Sequence, residues 1–405
     1  MKKSLLALAA LGTLTGVAHA QSSVTLYGII DEGFNYVSNV QSASAGGRTS
    51  HQLYNLSSGV MQGSRWGLRG KEDLGGGLKA IFVLENGFDI NNGKLGQGGS
   101  EFGRQAYIGL SGPFGTVTLG RQYDSVVDYV GALEVGSQWA GYIGAHPGDL
   151  DNFNNANRVN NAIKFASANY AGFTFGGLYS LGGIAGSFNR NQIWSLGAGY
   201  ANGPLTLGVG YLNVKDPNTS FWGNQPNGTA GNNMGASSVA GVQSNPVISG
   251  FATAHTYQVV GAGGAYTFGA ATFGATYSNI KFKDLGTDTV ANMPAAQASY
   301  GGTATFNNAE ISLKYQMTPA LLFGAAYDYT RGSKIGTLDR AQYHQGALGV
   351  DYFLSKRTDI YMIGVYQHAS GTDSTGQTAV ASINGLTPSN SNNQTAVRVG
   401  LRHKF

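Results

Sequence analysis

Short segments that alternate apolar and polar residues recur along almost the whole chain, and this repeated period of two limits the fold more than any other feature. Extended backbone sends successive side chains to opposite faces, so a two-residue period is the mark of a strand with one apolar face. From Ser23 to Val37 the set Val24, Leu26, Gly28, Ile30, Phe34 and Tyr36 shares one face, and Thr25, Tyr27, Ile29, Asp31 and Asn35 share the other. Glu32 falls on the apolar face, which places it near a rim or on a wall that meets another protein. After a polar loop, Arg65, Gly67, Arg69 and Lys71 oppose Trp66 and Leu68. A tight turn at 72–77 follows, and then Leu78, Ala80, Phe82, Leu84 and Phe88 alternate with Lys79, Glu85 and Asp89.

Thirteen further segments repeat the pattern, from Arg104 to Leu110 through Gln394 to Phe405, so the reading counts sixteen strands. Their connections alternate between short ones, such as 112–114, 201–204, 317–320 and 355–357, and long ones, such as 217–254, 283–305 and 371–393. Short turns at one end and long loops at the other describe a transmembrane barrel, and a soluble sandwich has no reason to sort its loops this way. The expected fold class is therefore all-β, a transmembrane antiparallel up-and-down β-barrel of 16 strands. Closure would remove the free sheet edges that so many strands otherwise leave open to aggregation. Alternation also keeps mean hydropathy at -0.12 in a chain read as a membrane protein.

Composition agrees. There are 63 Gly, 22 Tyr and 19 Phe against 11% charged residues, and no Cys, which excludes disulfides, thiolate metal sites and cysteine nucleophiles. Lys2 and Lys3, an apolar run from Leu5 to Val17 and the triplet Ala18-His19-Ala20 read as a secretory signal peptide. The expected organisation is a leader at 1–20 and a barrel at 21–405. Without Lys2 and Lys3 the basic residues number 23 against 21 acids, so the near-neutral total gives no warrant for nucleic-acid binding.

One stretch breaks the repeat. Residues 122–157 are irregular, carry Asp124, Asp128, Glu134, Asp149 and Asp151, and are bracketed by Arg121 and Arg158. An irregular segment this long in a compact domain is disordered or functional. The expectation is that it folds into the barrel and sets the width and charge of a pore. At the other extreme of order, the last strand puts Val397, Val399, Leu401, His403 and Phe405 on one face and Arg398, Arg402 and Lys404 on the lumen side.

With these residues assembled, the chain resembles the trimeric general porins of Gram-negative bacteria, particularly those of betaproteobacteria. The resemblance spans essentially the whole mature sequence. It rests on Val24-Thr25-Leu26-Tyr27-Gly28, the run from Ser64 to Gly75, Arg104 to Leu110, Gly115 to Arg121, Leu354 to Thr358 and the terminal Phe405. It implies an outer-membrane location after export, a homotrimer, contacts with outer-membrane lipid and the barrel-assembly machinery, and passive diffusion of small hydrophilic solutes and ions. It also implies that the third external loop narrows the barrel. The basic wall residues would be Arg65, Arg104 and Arg158, each opposite an outward neighbour, Trp66, Tyr107 and Val159. Glu134 would be the acid of the loop's turn, with Asp128 and Asp124 as further loop acids. Arg69, Lys79, Lys164 and Arg402 would be secondary lumen charges, and Phe405 the assembly signal. The Pro-Glu-Phe-Gly-Gly of enterobacterial porins has no match in this loop.

Charges of opposite sign held across a constriction select ions by sign, and arginine keeps its charge when partly desolvated. A basic wall implies mild anion preference. The alternatives are a solute-specific channel and a plugged adhesive or receptor barrel; in the former, aromatics such as Tyr27 and Trp139 would line the path. No G-x-S-x-G, H-E-x-x-H or P-loop occurs, and an enzyme, a cofactor or a metal centre is not expected.

Overall fold

Seventeen strand segments form one sheet that closes on itself in the computed structural model, which describes residues 22–44, 47–224, 231–235 and 244–405. The leader read at 1–20 lies outside the described residues, as does part of the loop at 218–250. The segments are β1 (Ser23–Ser44), β2 (Gly47–Ser58), β3 (Arg65–Gly75), β4 (Leu78–Gly87), β5 (Gln105–Gly112), β6 (Gly115–Gln122), β7 (Val159–Ser167), β8 (Phe173–Ser180) and β9 (Ile193–Asn202). They continue as β10 (Leu205–Lys215), β11 (Thr256–Phe268), β12 (Ala271–Leu285), β13 (Gly302–Thr318), β14 (Leu321–Gly332), β15 (Gln342–Phe353), β16 (Thr358–Ser370) and β17 (Asn393–Lys404).

Every pairing is antiparallel between neighbours, and β17 returns to β1 with Ile29 opposite Lys404 and Val37 opposite Ala396. Gly28 and Phe405 complete the seam by exchanging backbone hydrogen bonds, each 3.1 Å. The sixteen expected strands become seventeen segments because one stave is broken. β1 pairs with β2 through Glu32–Ser58 and with β3 through Ile29–Arg65, so β2 and β3 lie end to end on the same side of β1. Residues 59–64 interrupt them. The loop expected before Gly63 is thus mostly strand, with Asn39 in the left-handed region at the β1 register shift. The first half of β2, Gly47 to Gln52, is polar on both faces, and the outward pair Tyr54 and Leu56 alone makes too short an apolar alternation to reveal a strand.

The two faces are inverted relative to a soluble sandwich. Large apolar side chains point outward, with Ile108 at 63%, Ile311 at 64% and Leu348 at 68% exposure. Such a belt is stable only against lipid. Inside, Asp31, Asn35, Glu310, Asp328, Gln345 and Arg398 are buried. The interior also holds two apolar clusters in which segment 123–158 meets the wall. One joins Val126, Val130, Leu150 and Phe153 to Tyr257, Val259, Ile280 and Phe282. The other joins Val135, Trp139 and Ile143 to Leu322, Ala347, Tyr361 and Ile363.

Candidate functional site

The third connection at the long-loop end, residues 123–158, crosses the interior and leaves a passage on one side of it. Its first turn is the helix α1 (Ser125–Tyr129), capped by Asp124, whose carboxylate accepts from the Val126 and Val127 amides at 2.8 and 3.2 Å. α1 can lie on β10 because Gly208 has no side chain: a Cβ there would stand 1.9 Å from the Tyr129 carbonyl oxygen. Further along, Tyr257 donates to the Leu150 carbonyl at 2.9 Å, Ser278 to Asp151 at 2.6 Å, the Val135 amide to Glu310 at 3.1 Å and Gln345 to the Ala145 carbonyl at 2.9 Å. The loop is therefore fastened to the wall formed by β10–β15.

A cavity of about 720 Å³ remains on the opposite side, lined by Arg65, Arg104, Tyr123 and Arg158 together with Asp128, Asp149 and backbone of the loop. Arg104 Nε donates to Glu85 Oε1 at 2.8 Å, and its Nη2 to the Tyr123 hydroxyl at 3.3 Å. Tyr27 donates to the other Glu85 oxygen at 3.0 Å. Arg158 Nη1 donates to the Ala156 carbonyl at 3.2 Å, and its guanidinium carbon stands 5.8 Å from the Tyr123 ring centre. All three expected arginines line this cavity, but alternation explains only Arg65, which opposes the outward Trp66. Ile108 and Leu110 are the outward residues of β5, so Tyr107 faces inward, and Arg104 reaches the lumen because it precedes the strand. Val159 is fully buried in the interior cluster, not outward, since Asn161 in the left-handed region breaks the alternation of β7.

Of the three expected loop acids, Asp128 borders the cavity with the arginines, whereas Glu134 and Asp124 do not. Glu134 is fully buried on the far side of the loop, where the His146 amide donates to it at 2.9 Å. Asp124 is also fully buried, spent on the helix cap and on Asn152, which donates to it at 2.7 Å. Asp128 borders the cavity, paired with Lys164. Glu134 and Asp124 lie on the wall-facing side of the loop, where both accept from backbone amides. Asp149, which also borders the cavity, accepts from Asn154 at 3.0 Å and Ala156 at 2.7 Å.

Behind the loop these acids surround a single imidazole. His146 Nδ1 is 2.7 Å from Asp151 and 3.8 Å from Glu134, while Nε2 is 3.6 Å from Glu310 and 3.8 Å from Asp328. Burial alone would lower this imidazole, but Asp151 and Glu134 hold it well above its ordinary value. Burial raises the Glu134 carboxyl well above its ordinary range and pushes Asp149 up to about 7, with the Asp151 charge adding to the latter. Neither Glu85 and Tyr123 beside the arginines nor His146 behind the loop was legible as a site residue. The one available signal was that Glu85 breaks the apolar character of β4 on the inner face.

The remaining charges divide. Arg69 lies 5.2 Å from the Tyr27 ring centre and is exposed with Lys79, whereas Arg402 is buried between Asp359 at 3.0 Å and Asp351 at 3.4 Å. Trp139 is buried against the wall and does not line the cavity. Asp216, His255 and Asp288 come together at the outer ends of β10–β12.

Comparison with known proteins gives a consistent result. The family model described as Gram-negative porin matches residues 7–374. An outer membrane porin protein of Bordetella pertussis is 32% identical over 434 aligned residues, and outer membrane porin protein 32 of Delftia acidovorans is 32% identical over 424, both covering 100% of each chain. Among solved structures, the anion-selective porin from Comamonas acidovorans superposes with a TM-score of 0.68 at 24% identity, over 95% of this chain and 100% of that one. OmpT of Vibrio cholerae superposes at 0.61 and 15% identity, over 95% and 98%.

Proposed function

Since the chain belongs to the Gram-negative porin family of outer-membrane channels, we propose that Arg65, Arg104 and Arg158 form the basic side of its constriction and give a general diffusion pore a mild anion preference. The observation that carries this reading is the charge around the cavity. Three guanidinium groups border it; Glu85 is ion-paired with Arg104, and the nearby Asp128 is matched by Lys164. The two oxygens of Asp149 accept from the Asn154 and Ala156 amides, so even with Asp149 counted as charged the cations exceed the anions by one. The uncompensated balance is positive, and a ring of fixed positive charge lowers the barrier for anions. The loop side of the aperture is mixed, with Asp128 and Asp149 beside Asn154, Asn155, Ser137 and Tyr142, and such a lining serves hydrated solutes in general. The resemblance to an anion-selective porin points the same way.

The working form we propose is a homotrimer in outer-membrane lipid. Glu32 supports it: this carboxylate sits on the outward face of β1, opposite Leu401, and its Oε2 has no hydrogen-bond partner. The side chain as a whole is half-buried on that face, and a second copy packed there would withdraw its exposed part from the bilayer. Phe405, paired with Gly28 at the seam and ending the outward row of β17, is the residue we assign to recognition by the assembly machinery.

The test is the zero-current potential of single channels in a planar bilayer under a potassium chloride gradient. Ohmic conductance in steps of three with chloride favoured over potassium is the expected result. A cation-selective channel, or one blocked by a single sugar at low concentration, contradicts the proposal.

A further inference from the structure

We propose that Asp216, His255 and Asp288 form a binding site for one divalent transition-metal ion of the zinc class at the outer mouth of the barrel. The three residues are far apart in sequence and are brought together by the ends of adjacent strands: Asp216 follows β10, His255 precedes β11 and Asp288 lies beyond β12. His255 Nδ1 is 3.4 Å from Asp216 Oδ1 and 3.0 Å from Asp288 Oδ1, and the three donor atoms all lie within 4.8 Å of one another. Zinc takes nitrogen and oxygen donors at about 2.0–2.1 Å in a tetrahedron, which separates neighbouring donors by roughly 3.3 Å. The two measured spacings from the imidazole are those of two edges of such a tetrahedron.

The donors are held before any ion arrives. The Asp216 amide donates to the His255 carbonyl at 2.9 Å, the His255 amide to the Lys283 carbonyl at 3.0 Å, and the Asp288 amide to the Thr253 carbonyl at 3.1 Å. The second Asp216 oxygen accepts from the Asn191 amide at 2.8 Å, an outer contact that orients the carboxylate. An ordinary ion pair accounts for the arrangement less well. One Nδ1–H serves one acceptor along its own axis, yet two carboxylates converge on this nitrogen and repel each other. A cation satisfies both oxygens and the nitrogen together.

The donor set also decides the class of ion. One imidazole and two carboxylates suit zinc and its first-row neighbours, whereas calcium gathers six to eight oxygens. The side chains are 16–37% exposed, so the site opens to the external solution and a fourth position is available to water. An occupied site changes the charge at the mouth by about two units.

The experiment is calorimetric titration of zinc chloride into the tag-free, folded full-length protein in detergent, beside the His255→Gln and Asp288→Asn variants. Folding of each is checked by its heat-dependent electrophoretic mobility. Wild-type protein is expected to bind one more zinc per chain than either variant, or to bind it ten-fold or more tightly. Cobalt in place of zinc should give the intense visible bands of a four-coordinate ion, lost in the variants. If wild type and the folded variants bind zinc identically, or if calcium displaces zinc at equal concentration, the proposal is overturned. Because two independent variants carry the test, failure of one to fold leaves the other decisive.

Discussion

The Nδ1 atom of His146 stands 2.7 Å from Asp151 Oδ2 at a point where neither side chain is exposed, with Glu310 of β13 and Asp328 of β14 on the far side of the ring. The Asp151 contact is internal to the inserted loop, and the ring's other nitrogen, 3.6 Å from Glu310 and 3.8 Å from Asp328, ties that loop to the wall. Replacing His146 by Asn removes the only cation among four buried carboxylates. Breaking one partner of a buried pair costs on the order of 3–5 kcal/mol. The expected outcome is a barrel that still forms but whose loop is loosened, seen as increased open-channel noise and faster protease cleavage within 123–158; quiet, resistant channels would contradict it.

The same cluster sets the direction of a pH dependence. His146 is raised above its ordinary 6.5 and Glu134 above its ordinary 4.5, so the docked loop holds more protons than the free one. Stability from such groups is complete below the free value and declines as pH rises toward the docked value. Asp149, at about 7, acts in the same sense. Asp151 is lowered by His146 despite its burial, and acts oppositely only below its ordinary 3.8. Docking should therefore weaken as pH rises, through Glu134 and Asp149 from about pH 4 and through His146 above about 6.5. Loop closures in bilayer recordings should become more frequent across this range, and His146→Asn should flatten its upper part. A wild-type channel indifferent to pH from 6 to 9 would refute the assignment.

Trp139 and Gly324 meet face to face. A Cβ on Gly324 would fall 2.2 Å from Trp139 Cδ2, so the wall of β14 is bare where the indole rests. Gly324→Val should push the loop toward the passage at a cost of about 1–3 kcal/mol and lower single-channel conductance. Adding Trp139→Ala should restore it. Equal conductance in Gly324→Val and wild type would show that the loop is not braced there.

Glu85 and Arg158 should move selectivity in opposite directions. Glu85→Gln removes the carboxylate that holds Arg104 at 2.8 Å and should strengthen anion preference. Arg158→Glu should shift the zero-current potential toward cations, lowering the anion-to-cation permeability ratio severalfold. If neither exchange moves the potential, the constriction lies elsewhere.

Arg398 closes the barrel seam. Fully buried, it donates to Asp31 at 3.3 Å, to the Tyr361 hydroxyl at 2.6 Å, to Asn35 at 2.9 Å and to the Ser57 carbonyl at 2.9 Å. Arg398→Met leaves Asp31 buried without its cation and should cost on the order of 3–5 kcal/mol. The measurement is the temperature at which the folded electrophoretic form is lost, expected to fall by several degrees. An unchanged temperature would mean that Tyr361 and Gln62 suffice to hold Asp31.

What the amino-acid order determined by itself was the wall. A period of two is a local property, so it assigned nearly every strand, the outward rows of Leu26, Phe34 and Leu401, and the break at 122–157 without any knowledge of partners. The resemblance to porins, not the period, singled out Arg65, Arg104 and Arg158, and strand parity holds only for Arg65. Only the tertiary structure decided which way the loop's charges point. Glu134 and Glu310 are 176 positions apart, and His146 meets Asp328 of β14 behind the loop; such encounters depend on how a closed sheet curves, not on spacing along the chain. The same holds for Asp216, His255 and Asp288, which no local pattern connects. The cavity has Arg65, Arg104 and Arg158 on its lining with Glu85 paired to Arg104, and Asp128 and Asp149 on the loop beside it, while Glu134 is buried on the loop's wall-facing side.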